Sequence, residues 1–326
     1  MWKGKELDIS ILLALQTFRN ATGDVFTPFF TKMSYIGEME VVLSIMAVIY
    51  WCASKRYGSY LLMGWSANRI LNGFLKVTAC AYRPWIRDPR IVPDPEALSA
   101  ATGYSFPSGH SVNAASLYGG GMIRKEFPKI LRIFFGLIVV LIAFSRIYLG
   151  VHTPQDIIVG ALSGLLVMWL ISKLMNWVDA HPEKDWTVLL IGGGIAVAVA
   201  VFAALKSYPE DYDAAGELLV DGAKMAKDTF KAVGWGLGYL IGWVLERRKI
   251  GFSTDVMMKT RASRLVVGLL CHYAISLILV PMLKTWIPGP AGVVASCFIQ
   301  MFFIVFIFPL FIKLFEARKS ESRAEG

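Results

Sequence analysis

Long apolar stretches, separated by short polar segments, run through almost the whole sequence. Stretches of about 20 apolar residues are long enough to cross a hydrocarbon core about 30 Å thick as α-helices. The pattern therefore predicts an all-α fold, a polytopic membrane helical bundle with about nine transmembrane helices. The predicted spans cover residues 35–53, 57–79, 109–123, 129–149, 155–177, 187–205, 228–246, 265–284 and 290–315.

The N-terminal segment shows a different pattern, in which apolar and polar positions alternate at helical spacing. Ile9, Leu12 and Phe18 lie at that spacing beside Asp8 and Gln16. This helix is too short to span the bilayer and is expected to lie in the membrane interface. It lacks a small-residue cleavage site after an apolar core, so no signal peptide is expected.

The seventh predicted span contains regularly spaced glycines, and the patterns together divide the chain into three parts. Gly234, Gly238 and Gly242 recur at every fourth position of the seventh predicted span. Small residues at this spacing let a neighbouring helix approach closely, so a packing face is expected there. The expected organisation is an N-terminal interfacial helix and turn over 1–34, a catalytic core over 35–180 and a C-terminal transmembrane extension over 181–326.

Composition separates this chain from soluble proteins. Hydrophobic residues make up 56% and charged residues 17% of the 326 residues, whereas soluble domains average about 45–50% and about 25%. The net charge is +9, but much of it flanks apolar stretches, as the positive-inside rule predicts, so no nucleic-acid partner is expected. The four cysteines show no metal-ligand spacing and are interpreted as small apolar residues.

Basic residues between the predicted spans fall on one side of the topology. That side, expected to be cytoplasmic, receives Lys55, Arg56, Arg124, Lys125, Lys173, Arg247, Arg248, Lys249, Lys259, Arg261, Arg318 and Lys319. The opposite side receives the loop 80–108, the loop at His152 and the acidic loop around Asp211. We therefore expect an integral membrane protein whose polar loops face the periplasm, the exterior or an organelle lumen.

The stretch from Lys76 to Asp156 carries an unusual set of polar residues for membrane segments. Charged side chains at membrane depth cost about 2.5–3.5 kcal/mol each on insertion scales and mark functional sites. The set consists of Lys76, Arg83-Pro84, Pro107-Ser108-Gly109-His110, Ser145-Arg146, His152 and Asp156. Three cations, two histidines and one carboxylate suit a site that binds and cleaves phosphate.

The first two groups supply cations and a helix start. Lys76 and Arg83 share one helical face if the helix continues that far; alternatively, Lys76 reaches the interface and Arg83 only flanks a span. Ser108 is placed to cap a helix, whose free N–H groups bind oxyanions. In that case, Gly109 permits close approach of phosphate and His110 acts as general acid. Alternatively, Ser108 only caps the helix and His110 only forms a hydrogen bond to a neighbouring residue.

The third group supplies a cation and a nucleophile. The planar guanidinium of Arg146 suits phosphate oxygens. Thr153-Pro154 is typical of a helix start and puts Asp156 at the third helical position, where a carboxylate caps the helix. Alternatively, Asp156 accepts a hydrogen bond from His152, fixes its tautomer and leaves the other nitrogen as nucleophile.

Together these roles describe one reaction. Lys76, Arg83 and Arg146 neutralise the phosphate oxygens, and His152 attacks the phosphorus in line. His110 protonates the departing oxygen and afterwards activates the water that hydrolyses the phosphohistidine. No carboxylate-rich metal constellation accompanies these residues, so no cofactor is expected.

The three groups resemble the signature of the type 2 phosphatidic acid phosphatase superfamily in order and spacing. The resemblance is carried mainly by residues 60–178 and implies a helical bundle whose site opens at the outer membrane surface. It implies phosphate binding by Lys76, Arg83, Ser108, Gly109, His110 and Arg146, with His152 as nucleophile and Asp156 as its partner. The nine-span layout is similar to the glucose-6-phosphatase and sphingosine-phosphate phosphatase branches.

The leading hypothesis is an integral membrane phosphatase acting on a lipid phosphate or isoprenoid diphosphate, with Arg87 and Arg90 near the headgroup or simply solvated. One alternative is a phosphatase of soluble sugar phosphates. Another is a transporter or other non-catalytic membrane component, in which Arg69, Asn72 and His272 line a pathway. The simpler interpretation of Arg69 and Asn72 is that they support Lys76.

Overall fold

In the computed structural model, residues 4–213 and 215–315 are described. Their regular elements are helical throughout, and the nearest approach to a strand among them is one isolated bridge between Tyr212 and Leu218. The all-α prediction is therefore confirmed for the described residues.

Fifteen α-helices follow one another along the described chain, several of them continued by a π-helical turn. They are α1 (Gly4–Ala21), α2 (Thr27–Tyr35), α3 (Met39–Val48), α4 (Lys55–Ala79), α5 (Pro84–Arg87), α6 (Pro95–Ser99), α7 (Gly109–Ala114), α8 (Gly120–Met122), α9 (Lys129–Tyr148), α10 (Pro154–Ala180), α11 (Asp185–Leu205), α12 (Gly222–Leu245), α13 (Met258–Ala274), α14 (Val280–Trp286) and α15 (Gly289–Phe302). The π-helical turns are Ile49–Ala53, Ala115–Gly119, Glu246–Ile250, Ile275–Leu279 and Phe303–Ile307, and Pro182–Lys184 forms a 3₁₀ turn.

The prediction of nine spans is not confirmed. Five described segments are long and apolar enough to cross a membrane: Lys129–Tyr148, Pro154–Ala180, Pro182–Leu205, Met258–Trp286 and Gly289–Phe315. A sixth is possible if Thr27–Tyr35 and Met39–Ala53, bent by 50° at their junction, count as one broken span. The expected interfacial position of α1 stays a prediction.

Three predicted spans, 57–79, 109–123 and 228–246, are not among these apolar segments. Each has a physical reason. Helix α4 contains Arg69 and Lys76 in its second half, and these charged residues lower its mean hydropathy, although both side chains are buried. Helices α7 and α8 are brief and joined by the π-helical turn Ala115–Gly119. Helix α12 begins with a segment that contains three lysines and Asp228.

Contacts group the described chain into two compact units. Unit one comprises residues up to 42 together with 67–170 and 202–229, and unit two comprises 43–66, 171–201 and the residues from 230 onward. All the site residues expected from the sequence belong to unit one. The predicted boundaries at residues 35 and 181 stay a prediction.

In unit one, helix α1 is fastened to the loop between α4 and α7. Arg87 makes two hydrogen bonds to the buried carboxylate of Asp8, at 2.9 and 3.1 Å. Arg19 donates to the carbonyl of Val92 at 2.7 Å, and Gln16 bonds the backbone on either side of Ile91. The N-terminal helix therefore holds the loop that carries Arg83.

In unit two, the small-residue face predicted on α12 is confirmed. A Cβ on Gly234 would lie 2.8 Å from Cβ of Cys297, and one on Gly238 would lie 2.5 Å from the carbonyl oxygen of Phe298. Helix α15 thus packs directly on this face, at a distance that only glycine permits.

Candidate active site

Arg83 is held by backbone oxygens on three of its nitrogens. Helix α4 ends at Ala79, and Arg83 itself is extended, with φ −64° and ψ 152°, just before α5. Its Nε donates to Gly103 O at 3.1 Å, Nη2 to Thr102 O at 2.7 Å and Nη1 to Val151 O at 2.9 Å. Lys76 and Arg83 therefore do not share one helical face, because the helix that carries Lys76 ends before Arg83.

Lys76 lies near the end of α4 and is only 3% exposed. Its ammonium group donates to the carbonyl of Tyr104 in the loop that precedes the second motif. Arg83, Asp156 and Asp228 all lie close enough to interact with it electrostatically. Lys76 thus faces the interior of unit one, which disfavours the alternative of a side chain reaching for the interface.

Ser108 caps α7, as the sequence predicts. Its Oγ accepts from Ser111 N at 3.4 Å, and its own N–H donates to Asp156 O at 2.9 Å. Asn72 on α4 donates to Pro107 O at 3.1 Å. Asn72 therefore anchors the group Pro107-Ser108-Gly109-His110. The simpler interpretation of the sequence was instead that Asn72 supports Lys76.

His110 and Gly109 occupy the first turn of α7. His110 is 7% exposed, and within the described part of the chain its Nε2 has no hydrogen-bond partner. Gly109 faces another cation, because a Cβ at this position would lie 3.2 Å from Nη1 of Arg69. The first turn of this helix thus combines an unpartnered imidazole nitrogen with a neighbouring guanidinium group.

Arg146 lies in the last turn of α9 and is fully buried. Its Nη1 donates to the hydroxyl of Ser34 on α2. Its Nε and Nη2 have no hydrogen-bond partner among the described residues. Buried guanidinium donors without a partner are costly, and an oxyanion would satisfy them bidentately.

His152 has a defined tautomer because of what each ring nitrogen contacts. Nε2 lies 3.0 Å from Nη1 of Arg83, and a guanidinium group can only donate. Nε2 is therefore the acceptor, and Nδ1 carries the proton toward Oδ2 of Asp156, 3.3 Å away. The nitrogen with the available lone pair is thus the one beside a cation.

Asp156 serves both as a capping carboxylate and as the partner of His152. Its Oδ2 accepts from Thr153 N at 2.8 Å, and its own N–H donates to Thr153 Oγ1 at 3.4 Å, which together form a capping box at the start of α10. The two interpretations that the sequence left open are therefore compatible in one side chain.

Ser105 is a member of the site that sequence reasoning missed. Its hydroxyl donates to Oδ2 of Asp156 at 2.6 Å and lies 3.5 Å from Nδ1 of His152. Ser34, the partner of Arg146, was missed as well. Neither serine lies in a pattern that signals a functional role, and only packing brings them to the site.

The electrostatics of the two residues in loops follow from burial. Burial lowers the pKa of Arg83 to about 10, although Asp156 and Asp228 act in the opposite direction, so the group remains charged at neutral pH. Burial and then the charge of Arg83 lower the pKa of His152 to about 3. His152 is therefore a neutral imidazole at neutral pH, the form that a nucleophile needs.

The structure brings the predicted residues into one neighbourhood of unit one. Direct contacts join Arg83, His152 and Asp156, and the backbone of Ser108 bonds that of Asp156. His110 lies near enough to Arg146, His152 and Arg83 to interact electrostatically with each. The chemical roles of these residues stay predictions, and their placement is consistent with them.

The two arginines expected near a headgroup are already paired. Arg87 binds Asp8, and Arg90 binds the carboxylate of Asp88 with contacts of 2.6 to 3.2 Å. Arg87 therefore holds α1 in place, and Arg90 is part of a local, exposed ion pair.

Comparisons with known proteins bear on the same residues. Residues 57–180 match the PAP2 superfamily, and residues 230–320 match the PAP2 superfamily phosphatase transmembrane extension. Phosphatidylglycerophosphatase B of Bacillus subtilis (strain 168) is 32% identical over 166 residues, which cover 47% of this chain and 77% of that protein. Undecaprenyl-diphosphatase of Sulfolobus acidocaldarius is 29% identical over 154 residues, which cover 47% of this chain and 68% of that protein.

A solved structure is also similar. It is that of the first transmembrane PAP2 type phosphatidylglycerolphosphate phosphatase from Bacillus subtilis, which is 26% identical, with a TM-score of 0.45, over 55% of this chain and 89% of that one. The resemblance recognised in the three motifs is confirmed by the family matches and by the identity and coverage of the first relative. This chain is an integral membrane protein that belongs to the PAP2 superfamily of phosphatases.

Proposed function

We propose that this phosphatase hydrolyses a lipid phosphate or an isoprenoid diphosphate, without a metal ion, through a phosphohistidine on Nε2 of His152. We place the site on the extracytoplasmic side of the membrane. The observation that carries the mechanism is the pair of contacts on His152, with Nδ1 against Asp156 and Nε2 against Arg83. These contacts leave a lone pair on the nitrogen that lies beside a phosphate-binding cation.

In the first step, the phosphate group accepts hydrogen bonds from the free donors of Arg146 and from the Nη1–H of Arg83 that faces His152, which frees the lone pair on Nε2. The lone pair on Nε2 then attacks phosphorus, and the bond from phosphorus to the leaving oxygen breaks. His110, protonated once the phosphate anion lies beside it, gives its proton to that oxygen, which leaves as an alcohol or, for a diphosphate, as the lipid monophosphate. Asp156 stabilises the positive charge that develops on the imidazole.

In the second step, water attacks the phosphohistidine. His110, now neutral, accepts a proton from this water, and the bond between phosphorus and Nε2 breaks. Inorganic phosphate leaves, and both histidines return to their starting forms. Three fixed cations hold the equatorial oxygens in both steps, which is the role of charge neutralisation in phosphoryl transfer.

Two observations favour a substrate that carries a long apolar chain. Arg146 and Asp156 lie on α9 and α10, two segments long and apolar enough to cross a membrane, which favours a substrate that is itself anchored in the bilayer. The similar proteins are named for a phosphatidylglycerophosphate and for an undecaprenyl diphosphate. Both substrates join a phosphate group to a long apolar chain.

The test is a substrate panel on purified, detergent-solubilised protein. We expect phosphatidate, phosphatidylglycerophosphate or undecaprenyl diphosphate to be hydrolysed with a kcat/KM at least about tenfold above that for glucose 6-phosphate. A preference for glucose 6-phosphate would instead favour the sugar-phosphate alternative. Absence of hydrolysis with all four substrates would favour a non-catalytic role.

The mechanism is tested by trapping. With ³²P-labelled substrate, rapid quenching in base should retain label on the wild-type protein, since phosphohistidine survives base and is lost in acid. His152→Asn should retain no label and should lower kcat by about a thousandfold or more. Label that persists in this variant would contradict the assignment of the nucleophile.

A further inference from the structure

Helix α12 leads into the segment matched as a transmembrane extension, yet its first turns lie in unit one. Thr229 on this helix donates from Oγ1 to Gly73 O at 3.0 Å, and a Cβ on Gly73 would lie 3.0 Å from Cα of Thr229. This close approach fixes α12 against α4, three residues before Lys76. The neighbouring residue, Asp228, is therefore held in a definite position.

Asp228 contacts two of the three residues whose carbonyls accept hydrogen bonds from Arg83. Its Oδ2 accepts from Thr102 Oγ1 at 2.9 Å. Gly103 has φ +70°, and a Cβ there would lie 3.0 Å from the same Oδ2. Only glycine combines this backbone conformation with so close an approach. Asp228 is only 8% exposed, so it is largely shielded from solvent.

The chain of contacts continues to the nucleophile. Thr102 O and Gly103 O accept from Nη2 and Nε of Arg83, and Nη1 of Arg83 lies 3.0 Å from Nε2 of His152. A shift of the Thr102-Gly103 backbone would move the guanidinium group relative to the imidazole. Positioning of this kind matters because misplacement by about 1 Å can cost about a hundredfold in rate.

We propose that Asp228 is a positioning residue of the phosphate site, which fixes Arg83 through the backbone of Thr102 and Gly103. The proposal rests on the proposed role of Arg83 in binding phosphate. It gives the helix that leads into the transmembrane extension a part in catalysis, although this helix lies outside the matched residues 57–180.

The test measures kcat/KM and inhibition by orthovanadate, an analogue of phosphate, on purified protein. Asp228→Ala removes the acceptor of the Thr102 hydroxyl and should lower kcat/KM and weaken vanadate inhibition by about tenfold each. Asp228→Asn keeps an acceptor oxygen and should recover both values to within about threefold of wild type. A purely structural role would not predict this recovery.

Three further variants extend the test. Thr102→Val should reproduce the effect of Asp228→Ala, and the double variant should be no worse than either single one, because both break the same contact. Asp221→Ala is the matched control. Asp221 caps the same helix through Ala223 N at 2.9 Å, so its loss weakens the helix start without touching the Arg83 loop and should leave vanadate inhibition unchanged.

The outcomes separate this proposal from the proposed function. Wild-type values in Asp228→Ala, together with lost activity in Arg83→Lys, would overturn the positioning role and leave the phosphate site in place. Wild-type values in both variants would overturn the role of Arg83 itself. Equal losses in Asp228→Ala and Asp221→Ala would assign the effect to stability of α12 and would also overturn the proposal.

Discussion

At the scale of single residues, three contacts converge on Oδ2 of Asp156. This one oxygen accepts from Thr153 N and Ser105 Oγ, at 2.8 and 2.6 Å, and faces Nδ1 of His152 at 3.3 Å. The first contact starts a helix and the last orients His152, the proposed nucleophile. A capping carboxylate and the partner of His152 are therefore the same group, which couples the start of α10 to the geometry of His152.

Ser105 is expected to affect turnover more than binding. Ser105→Ala removes the shortest hydrogen bond on Asp156, so the carboxylate orients His152 less well. We expect kcat to fall by about tenfold, in line with the loss of a hydrogen bond to a charged group, while KM changes little. Steady-state kinetics with a lipid phosphate would measure this.

Ser111→Ala is the matched control for that experiment. Ser111 is also buried, but its hydroxyl has no hydrogen-bond partner in the described structure. Its replacement should change kcat by less than about twofold, because no contact is lost. Equal effects of the two substitutions would contradict a specific role for the Ser105 hydroxyl.

Stability should depend on pH through His152. The pKa of His152 is lowered from 6.5 to about 3 in the folded protein, mainly by burial. Between these values the unfolded chain binds a proton that the folded chain does not, so the free energy of unfolding falls as the pH drops through this window. Above the unfolded pKa the residue is neutral in both states and contributes no pH dependence.

A comparison of unfolding curves checks this expectation. The thermal unfolding temperature of wild type in detergent should fall more steeply between about pH 6.5 and about pH 4 than that of His152→Asn, which cannot titrate at this position. Parallel curves for wild type and His152→Asn would contradict the lowered pKa.

At the scale of helices, the site depends on breaks and close approaches. The segment between α2 and α3 passes the site, where Asn113 donates to Gly37 O at 3.1 Å and a Cβ on Gly37 would lie 3.6 Å from Cδ2 of His110. The same bend places Ser34 against Arg146. The apolar pattern predicted one span from residue 35, whereas packing at the site requires a break there.

Gly160 brings α10 against the start of α7. A Cβ at this position would lie 2.8 Å from Ser108 O and 3.1 Å from Cβ of Ser111. Gly160→Ala should therefore displace the capped first turn of α7. We expect a loss of about 1–3 kcal/mol in the free energy of unfolding and of about tenfold or more in kcat/KM.

Gly194→Ala is a suitable control, because no heavy atom lies within 4 Å of a Cβ at that position on α11. This variant should be as stable as wild type or slightly more stable, since alanine favours a helix over glycine by about 1 kcal/mol. Kinetics and thermal unfolding of both variants would be compared. Wild-type activity in Gly160→Ala would show that α7 tolerates the shift.

At the scale of the whole molecule, the distribution of charge predicts the orientation in the membrane. Ser99, exposed in the loop before the second motif, is predicted to lie outside, and Glu183, exposed between α10 and α11, is predicted to lie in the cytoplasm. In a cysteine-free background, a membrane-impermeant maleimide should label Ser99→Cys in intact cells. It should label Glu183→Cys only after permeabilisation, and the reverse pattern would invert the proposed topology.

Much of the site could be predicted from the sequence, because its main signals are local. The capping role of Ser108, the helix start at Thr153-Pro154 and the family of the chain all follow from short motifs. The number of spans could not be predicted in the same way. Hydropathy treats Arg69 and Lys76 as interruptions of an apolar run, whereas the fold buries both side chains near the candidate site.

The sequence by itself determined the all-helical membrane fold, the superfamily and the set of cations and histidines. Periodicity, composition and motif spacing suffice for this, because each depends on residues that are close together in the sequence. Only the tertiary structure decided that Ser34, Ser105 and Asp228 join this set. Each of them acts through a hydrogen bond to a residue distant in sequence or on another element, and no local pattern encodes such a contact. The tautomer of His152 was decided in the same way, since it depends on which donor the fold places beside Nε2.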